Sequence, residues 1–313
     1  MPLTHVPTID LIPFRSGPAE AQARVAADVA EACEAIGFLT IVGHGVPPAV
    51  LARASDAARA FFDQPAAEKR ALGLTPTGIG YSPLHGERLA ATLGQVTPPD
   101  LKESLNLSAD FAANLWPREP AVLRPALEEY FRAMSALAAE LLQVFATALT
   151  LPRDYFADKI NRAASFLRVI NYPAPAAPPE PGQLRAGAHT DYGTLTILRA
   201  ENVAGGLQVQ TRAGEWVDVA VPPEAFVVNL GDMLMRWTND RWRSTLHRVV
   251  NPPLSAGAVS RRQSLAFFHN PNPEALIECL PNCCDAAHPA RYAPITAGAF
   301  IAEKAARAYG TKP

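Results

Sequence analysis

Residues 189–198 read HTDYGTLTIL, and this stretch places two metal-ligand side chains just before a strand-like run. Residues two apart on an extended chain point to the same side, so His189 and Asp191 face the same way. The β-branched and apolar residues of TLTIL at 194–198 predict a strand. The stretch therefore predicts a β fold that carries an imidazole and a carboxylate on one side of the chain.

The chain from about residue 165 onward contains many short β-rich runs separated by Gly, Asn or Pro turns. Antiparallel strands at this density predict a sandwich or a jelly-roll barrel, which closes its sheets and avoids exposed edges. Besides TLTIL, the runs are FLRVI at 166–170, LQVQ at 207–210, WVDVAV at 216–221, FVVNL at 226–230, LHRVV at 246–250 and SLAFF at 264–268.

A third metal-ligand candidate, His247, lies in LHRVV, several strands beyond Asp191. Antiparallel strands that fold back across a jelly roll can bring it beside His189 and Asp191. Two imidazoles and one carboxylate form the facial triad of non-haem Fe(II) oxygenases, which leaves open positions on the metal. The His-x-Asp spacing alone is a weak signal, because it also arises by chance and many histidines are hydrogen-bonded structural residues.

A candidate carboxylate anchor follows in RRQSLAFF, where Arg262 and Ser264 are again two residues apart. On a strand both would lie on one face. The planar fork of an arginine gives bidentate, charge-assisted hydrogen bonds to a carboxylate, and a serine hydroxyl adds a third. A structural ion pair is the alternative interpretation.

The first half of the chain is predicted to be helical. Apolar residues recur at helical spacing within 25–36, within 50–62 and from about 125 to 150, and a short β run, FLTIV, lies at 38–42. We therefore predict a mainly β protein in which a helical N-terminal region, 1–160, packs on a jelly-roll core with a C-terminal helix, 161–313.

The composition excludes several classes of protein. Hydrophobic residues make up 49% and charged residues 19%, which excludes a disordered chain, and the net charge of -2 gives no basic footprint for nucleic acid or anionic lipid. The apolar stretch 133–151 contains Glu140 and Gln143 and predicts a buried helix instead of a membrane span. The N-terminus lacks signal-peptide regions, so we expect a cytoplasmic protein with no membrane or nucleic-acid partner and no evident obligate protein partner.

Other chemically suggestive residues have plainer interpretations. The cluster Cys279, Cys283, Cys284 and His288 does not match a standard zinc-finger spacing, and plain thiols are expected. His44, in a Gly-His-Gly turn, is expected to be structural. Asp232, in NLGDML, is expected to be a turn residue.

The sequence resembles the isopenicillin N synthase-like family of 2-oxoglutarate- and Fe(II)-dependent oxygenases over nearly its whole length. Few other families would match so many segments in order. The matching segments are GFLTIVGHGV at 37–46, GYSP at 80–83, KESLNL at 102–107, NLWP at 114–117, INYPAP at 170–175, HTDYGTLTIL at 189–198, GGLQVQ at 205–210, GEWVDV at 214–219, NLGDML at 229–234, LHRVVNP at 246–252 and RRQSLAFFHNP at 261–271.

The resemblance implies a double-stranded β-helix core and a complete cofactor site. His189, Asp191 and His247 would be the iron ligands, and Arg262 and Ser264 would hold the far carboxylate of 2-oxoglutarate. Tyr172 matches a tyrosine that hydrogen-bonds this cosubstrate in many members, and Asn171 is a less certain neighbour.

The implied activity uses Fe(II), 2-oxoglutarate and O2 for hydroxylation, desaturation or ring formation at a C–H bond of a small molecule. Three alternatives stay open: an iron oxidase of the same fold that does not use 2-oxoglutarate, an ethylene-forming enzyme, and a non-catalytic metal-binding or sensor protein.

The substrate itself is not identified by the sequence. Phe268 shares strand parity with Arg262 and Ser264 and is a candidate for the pocket wall, although an aromatic residue on a strand is often core. Tyr192 and Phe267 are weaker candidates. In relatives the N-terminal and C-terminal segments also contribute walls, which adds Tyr81, His85 and Arg236.

Overall fold

The computed structural model describes residues 5–175 and 177–309, which form eight α-helices and fourteen strands within those ranges. The strands are β1 (Thr8–Asp10), β2 (Phe38–Val42), β3 (Gly80–Ser82), β4 (Glu103–Ser108), β5 (Phe166–Tyr172), β6 (Ala186–His189), β7 (Leu195–Ala200), β8 (Leu207–Gln210), β9 (Trp216–Asp218), β10 (Phe226–Leu230), β11 (His247–Val249), β12 (Arg262–His269), β13 (Leu276–Ile277) and β14 (Ile295–Thr296). The helices are α1 (Ile12–Ser16), α2 (Ala19–Ala35), α3 (Pro48–Phe62), α4 (Ala66–Ala71), α5 (Leu123–Ala148), α6 (Ala157–Ile160), α7 (Asp232–Trp237) and α8 (Ala297–Tyr309). Short 3-10 turns add Leu89–Leu93, Leu254–Ser260 and Pro281–Cys283.

Two sheets build the core. The larger has eight strands in the order β1-β2-β10-β7-β12-β5-β4-β3, and the smaller has four in the order β6-β11-β8-β9. All pairings in both sheets are antiparallel except β1 with β2. The predicted jelly-roll core is confirmed, and structural relatives share it.

The two faces of the larger sheet have different neighbours, and this decides which side chains can reach the site. Residues directly opposite each other in neighbouring strands lie on the same face, and successive residues alternate. On the outer face, apolar side chains pack against the helices, as where the ring of Phe267 meets that of Phe131 in α5 at 5.0 Å between centroids. The inner face looks towards the smaller sheet and carries Arg262, Ser264, Tyr172 and Thr196.

The first half of the chain is helical, as predicted, and it also completes the sheet. α2, α3 and α5 coincide with the three predicted helices, and β2 with FLTIV. β1, β3 and β4 were not predicted, although SLNLS at 104–108 in β4 alternates polar inner residues with apolar outer ones. By residue count the molecule is about 34% helical and 21% strand, so β structure predominates only in the second half. Because four strands before residue 160 join the larger sheet, a division near that residue does not separate the sheet from the helices.

No helix in the described part of the chain is both long enough and apolar enough to cross a membrane. The 26-residue α5 contains residues 133–148 of the predicted buried helix 133–151, and its apolar face is covered by α2, α3 and the larger sheet.

Candidate metal centre

Antiparallel pairing in the smaller sheet brings the two candidate histidines together. His189 ends β6 and stands directly opposite His247, the first residue of β11, with 4.3 Å between ring centroids. Asp191 follows two residues after His189. Its Oδ1 atom lies 3.9 Å from Nε2 of His189 and 3.7 Å from Nε2 of His247.

These three side chains form the one cluster of His, Cys, Asp and Glu residues with metal-ligand geometry in residues 5–175 and 177–309. Ligand atoms about 2.0–2.2 Å from a shared ion are at most about 4.4 Å apart, and the two Nε2 to Oδ1 distances satisfy this limit. Two imidazole nitrogens and a carboxylate oxygen are the donor set of the Fe(II) facial triad. The residues therefore fit the metal that the sequence predicts.

Backbone carbonyls fix the orientation of both imidazoles. Nδ1 of His189 lies 2.8 Å from the carbonyl oxygen of Gly187, and Nδ1 of His247 lies 3.0 Å from that of Thr245. A carbonyl only accepts, so each Nδ1 carries the proton and each Nε2 has a free lone pair. Burial, followed by the neighbouring His247 ring, lowers the pKa of His189 well below its ordinary value, so its ring is neutral as a ligand must be.

Asp191 is held as a carboxylate by two buried donors. Asn229 of β10 and Thr196 of β7 stand opposite each other in the larger sheet, and both donate to Asp191 Oδ2, at 2.7 and 2.5 Å. Burial alone would raise the pKa of Asp191, but the two imidazoles and these hydrogen bonds outweigh it and lower that pKa. Oδ1 is left to face the histidines.

The chain turns sharply after Asp191, and close backbone contacts fix the turn. The amide of Asp232 donates to the carbonyl of Asp191 at 2.7 Å, and that of Gly231 donates to Thr194 at 2.9 Å. A Cβ on Gly231 would overlap the carbonyl of Gly193, so this approach requires glycine.

The candidate carboxylate anchor lies on the inner face of the larger sheet. Arg262 is opposite Tyr172, and Ser264 is two residues further along the same strand. One guanidinium nitrogen of Arg262 and the hydroxyl of Ser264 are buried without a hydrogen-bond partner in the described part of the chain. Both atoms can donate, so they are available to a polar ligand at this place. The guanidinium carbon of Arg262 lies 5.1 Å from the centre of the Tyr172 ring, so the residues adjoin.

The structure does not support Asn171 as a cosubstrate ligand. Adjacent residues on a strand point to opposite faces, and Asn171 is on the outer face. There its amide donates to Glu103 at 2.7 Å and accepts from Arg261 at 2.9 Å. The side chain therefore belongs to a polar network between sheet and helices.

Tyr81 belongs to the same network. Its hydroxyl donates to Glu103, which also pairs with Lys69, and its ring is buried on the helix-facing side. Burial and this carboxylate raise its pKa. The structure therefore places Tyr81 on the helix-facing side of the larger sheet, away from the proposed pocket.

The other pocket candidates divide into two groups. Phe268 is half-buried on the inner face beside Phe166, and Tyr192 directly follows Asp191, the candidate metal ligand. His85 is exposed on a loop, and Phe267 is buried on the outer face. Arg236 lines a cavity of about 200 Å³ between α7 and α8, where it donates to the carbonyl of Ala293. Phe268 stands opposite Thr196, which bonds Asp191, and the ring centre of Tyr192 lies 5.7 Å from Nζ of Lys304 in α8.

A charged cluster next to Phe268 was not predicted. Arg168 is on the inner face, opposite Ala266 in β12, and pairs with Glu87 at 3.1 Å, while Lys102 pairs with the same carboxylate oxygen at 2.5 Å. Burial opposes ionisation of Glu87, but Arg168 and then Lys102 lower its pKa to about 2. Strand alternation in FLRVINY puts Arg168 and Tyr172 on the same face. The pairing of Tyr172 with Arg262 makes this the inner face, so the pattern would have placed Arg168 there.

The residues with plainer interpretations were mostly placed as expected. His44 accepts from the amide of Val46 through Nδ1 at 3.1 Å and bonds the carbonyl of Glu224 through Nε2 at 2.7 Å, which is a structural role. Asp232 differs from the prediction: instead of serving as a turn residue, it is buried at the start of α7 and pairs with Lys304 of α8 at 2.5 Å.

The cysteine region shows no metal-ligand geometry among the described residues. Cys279, Cys283 and Cys284 are free thiols, half-buried, and His288 is directed to Asp285 at 3.2 Å.

Comparisons with known proteins match both halves of the chain. The 2OG-Fe(II) oxygenase superfamily profile matches residues 164–271, and the profile described as non-haem dioxygenase in morphine synthesis, N-terminal, matches residues 6–120. The 2-oxoglutarate-Fe(II) type oxidoreductase hxnY of Emericella nidulans is 33% identical, over 98% of this chain and 91% of its own length. The proline hydroxylase buaE of Petromyces alliaceus is 33% identical over 82% of this chain and 84% of its own.

Solved structures agree with these matches. A full-length Neurospora crassa protein in complex with alpha-KG, which is 2-oxoglutarate, has a TM-score of 0.86 at 30% identity and covers 96% of each chain. The rice dioxygenase for auxin oxidation has a TM-score of 0.77 at 28% identity, over 96% of this chain and 95% of its own.

Proposed function

The chain belongs to the 2OG-Fe(II) oxygenase superfamily, and on this premise we propose that His189, Asp191 and His247 bind its Fe(II). We further propose that Arg262, Ser264 and Tyr172 bind 2-oxoglutarate. The observation that carries the proposal is a juxtaposition inside one barrel. Three metal-ligand atoms converge beside an inner face on which two buried polar atoms have no partner among the described residues.

The enzyme is a 2-oxoglutarate- and Fe(II)-dependent dioxygenase, an oxidoreductase that uses O2. The relatives support this prediction and not the iron oxidase, ethylene-forming or sensor alternatives. Bound iron supplies the redox chemistry that couples decarboxylation of 2-oxoglutarate to oxidation of a substrate C–H bond.

The residues around the metal prepare the ligand atoms in the required protonation states. The carbonyls of Gly187 and Thr245 keep both Nε2 atoms unprotonated, and Asn229 and Thr196 keep Asp191 ionised. The ligand side chains are therefore in the protonation states that metal binding requires and face one another.

Arg262 and Ser264 supply donors for the far carboxylate of 2-oxoglutarate. A guanidinium fork and a hydroxyl give that carboxylate charge-assisted hydrogen bonds and satisfy the two buried donors. Tyr172 adjoins Arg262 on the same face of the sheet.

Relatives act on small molecules, and we propose the same for this enzyme. Phe268 and Tyr192 contribute the apolar part of the substrate pocket, and Arg168 with Glu87 contributes the polar part. The outcome is hydroxylation, desaturation or ring formation. A cytoplasmic location, and the lack of membrane, nucleic-acid or obligate protein partners, stay predictions from the sequence.

Fe(II)-dependent conversion of 2-oxoglutarate to succinate tests this function without knowledge of the substrate. Wild-type enzyme should release succinate slowly with Fe(II) and O2, and Asp191→Ala should release none. Asp218→Ala removes an exposed carboxylate of β9 and serves as the matched control. Asp191→Ala with normal iron content and turnover would remove Asp191 from the metal site.

A further inference from the structure

A second buried arginine stands behind the proposed 2-oxoglutarate anchor. Arg185 precedes β6 and is only 1% exposed, and Arg262 is 2% exposed. Their guanidinium carbons lie 5.8 and 5.1 Å from the centre of the Tyr172 ring. Tyr172 is therefore in contact range of two buried cations.

Neither arginine has a carboxylate within 4.0 Å in residues 5–175 and 177–309. Arg185 donates to the carbonyls of Ala204, at 3.3 Å, Gly205, at 3.1 Å, and Ser260. Arg262 donates through Nε to the carbonyl of Glu201 at 3.3 Å. Carbonyl dipoles satisfy donors but do not neutralise charge, and buried charges without a counter-ion are costly.

The missing negative charge identifies what the site is built to hold. Burial and the charge of Arg262 lower the pKa of Arg185 to about 10, so the Arg185 guanidinium is still positive at neutral pH. Arginine side chains stay charged in proteins, and two buried cations are stabilised by an anionic ligand such as the far carboxylate of 2-oxoglutarate.

We propose that Arg185 is a positioning residue for 2-oxoglutarate: it adds a second fixed positive charge behind Arg262 and secures the walls of the carboxylate end. This inference rests on the proposed function. Arg185 joins three segments at this end of the barrel, because its carbonyl partners lie between β7 and β8 and just before β12. A purely structural arginine would only hold these segments together. The proposal requires in addition that the charge of Arg185 favours the binding of a dicarboxylate.

The test compares two ligands that share a keto-acid end. 2-Oxopentanoate has the five-carbon chain of 2-oxoglutarate but a methyl group in place of the far carboxylate. Dissociation constants are measured anaerobically on the Fe(II)-loaded enzyme, from the visible charge-transfer band of the chelate. Arg185→Met should raise the constant for 2-oxoglutarate about tenfold or more and that for 2-oxopentanoate less than about twofold.

Arg248→Met is the matched control. Arg248 is partly buried on the outer face of the smaller sheet, with its guanidinium carbon 4.1 Å from the centre of the Trp216 ring. Both constants should stay at their wild-type values. If Arg185→Met raises both dissociation constants by the same factor, or changes neither of them, Arg185 is only structural and the proposal is overturned.

A second variant leaves Arg185 in place, so the test does not depend on the folding of Arg185→Met. Arg262→Met should retain a preference of about tenfold for 2-oxoglutarate over 2-oxopentanoate, because Arg185 still supplies a charge. No residual preference overturns the proposal. A wild-type enzyme that binds Fe(II) but gives no band with 2-oxoglutarate contradicts the proposed function itself, which separates the two failures.

Discussion

Replacing Thr196 with valine tests how the surroundings of Asp191 tune the metal site. The Thr196 hydroxyl and the Asn229 amide donate to Asp191 Oδ2, while Oδ1 faces the two Nε2 atoms. Valine has the shape of threonine and no hydroxyl. The change therefore removes one hydrogen bond from the carboxylate and leaves the packing of β7 in place.

The magnitude follows from the charge of the acceptor. A hydrogen bond to an ionised group contributes about 1.5–3 kcal/mol, and loss of a partner behind a metal ligand typically weakens metal binding about 10- to 100-fold. Asn229 still holds Oδ2 in the variant, so we expect the lower end, about a tenfold rise in the Fe(II) dissociation constant.

The assay is anaerobic equilibrium titration of the apo protein with Fe(II), accompanied by urea unfolding. Thr194→Val is the matched control, because Thr194 is equally buried on the same segment but bonds His269, at 2.8 Å to Nδ1. It should lower the free energy of unfolding by about 1 kcal/mol and leave iron affinity unchanged. Equal iron affinity in Thr196→Val, Thr194→Val and wild type would refute the reasoning.

Three further predictions concern the anchor, the outer network and acid stability. Ser264→Ala should raise the 2-oxoglutarate dissociation constant about three- to tenfold, measured from the visible band, because it removes one donor to the far carboxylate; a Ser165→Ala control should not. Asn171→Ala should lower the free energy of unfolding by about 1–3 kcal/mol while 2-oxoglutarate affinity stays constant, and a large loss of affinity would restore Asn171 to the site. The pKa of Glu87 lies at about 2, below its ordinary value of 4.5, so its ionised form stabilises the fold above about pH 4.5 and that contribution is lost as pH falls towards 2. Urea unfolding from about pH 6 to pH 3 should show a weaker pH dependence in Glu87→Gln than in Glu129→Gln, which alters an exposed pair, and equal curves would contradict this role.

Local pattern was sufficient to predict most of the barrel and to select the three residues that we propose as metal ligands. The β-rich runs and turns of the second half gave the strands, and two-residue spacing placed His189 with Asp191 and Arg262 with Ser264. His189 and His247 stand directly opposite each other because of the register between β6 and β11. That register could not be predicted from the sequence.

Asn171 and Tyr81 were predicted to face the site, but both lie on the helix-facing side of the larger sheet. Strand alternation places Asn171 and Tyr172 on opposite faces, so their assignment to one site was avoidable. The face on which Tyr81 lies could not be predicted in this way. It depends on the pairing of β3 with β4, and neither strand was predicted.

Arg185 and Glu87 could not be assigned from sequence because their roles depend on distant partners. Arg185 bonds carbonyls from two other loops, and Glu87 meets Lys102 and Arg168 from neighbouring strands. Whether a charged residue has a counter-ion is a property of the folded chain, and no spacing rule encodes it.

The most direct test of the account is an anaerobic titration of the apo protein with Fe(II) and then 2-oxoglutarate, followed by visible absorption. The account predicts a saturable charge-transfer band in the wild type and in Asp218→Ala, and no band in Asp191→Ala, because the chelate requires the metal that Asp191 holds. A band of full intensity in Asp191→Ala, or none in an iron-loaded wild type, would contradict the assignment of this site as the iron and 2-oxoglutarate centre.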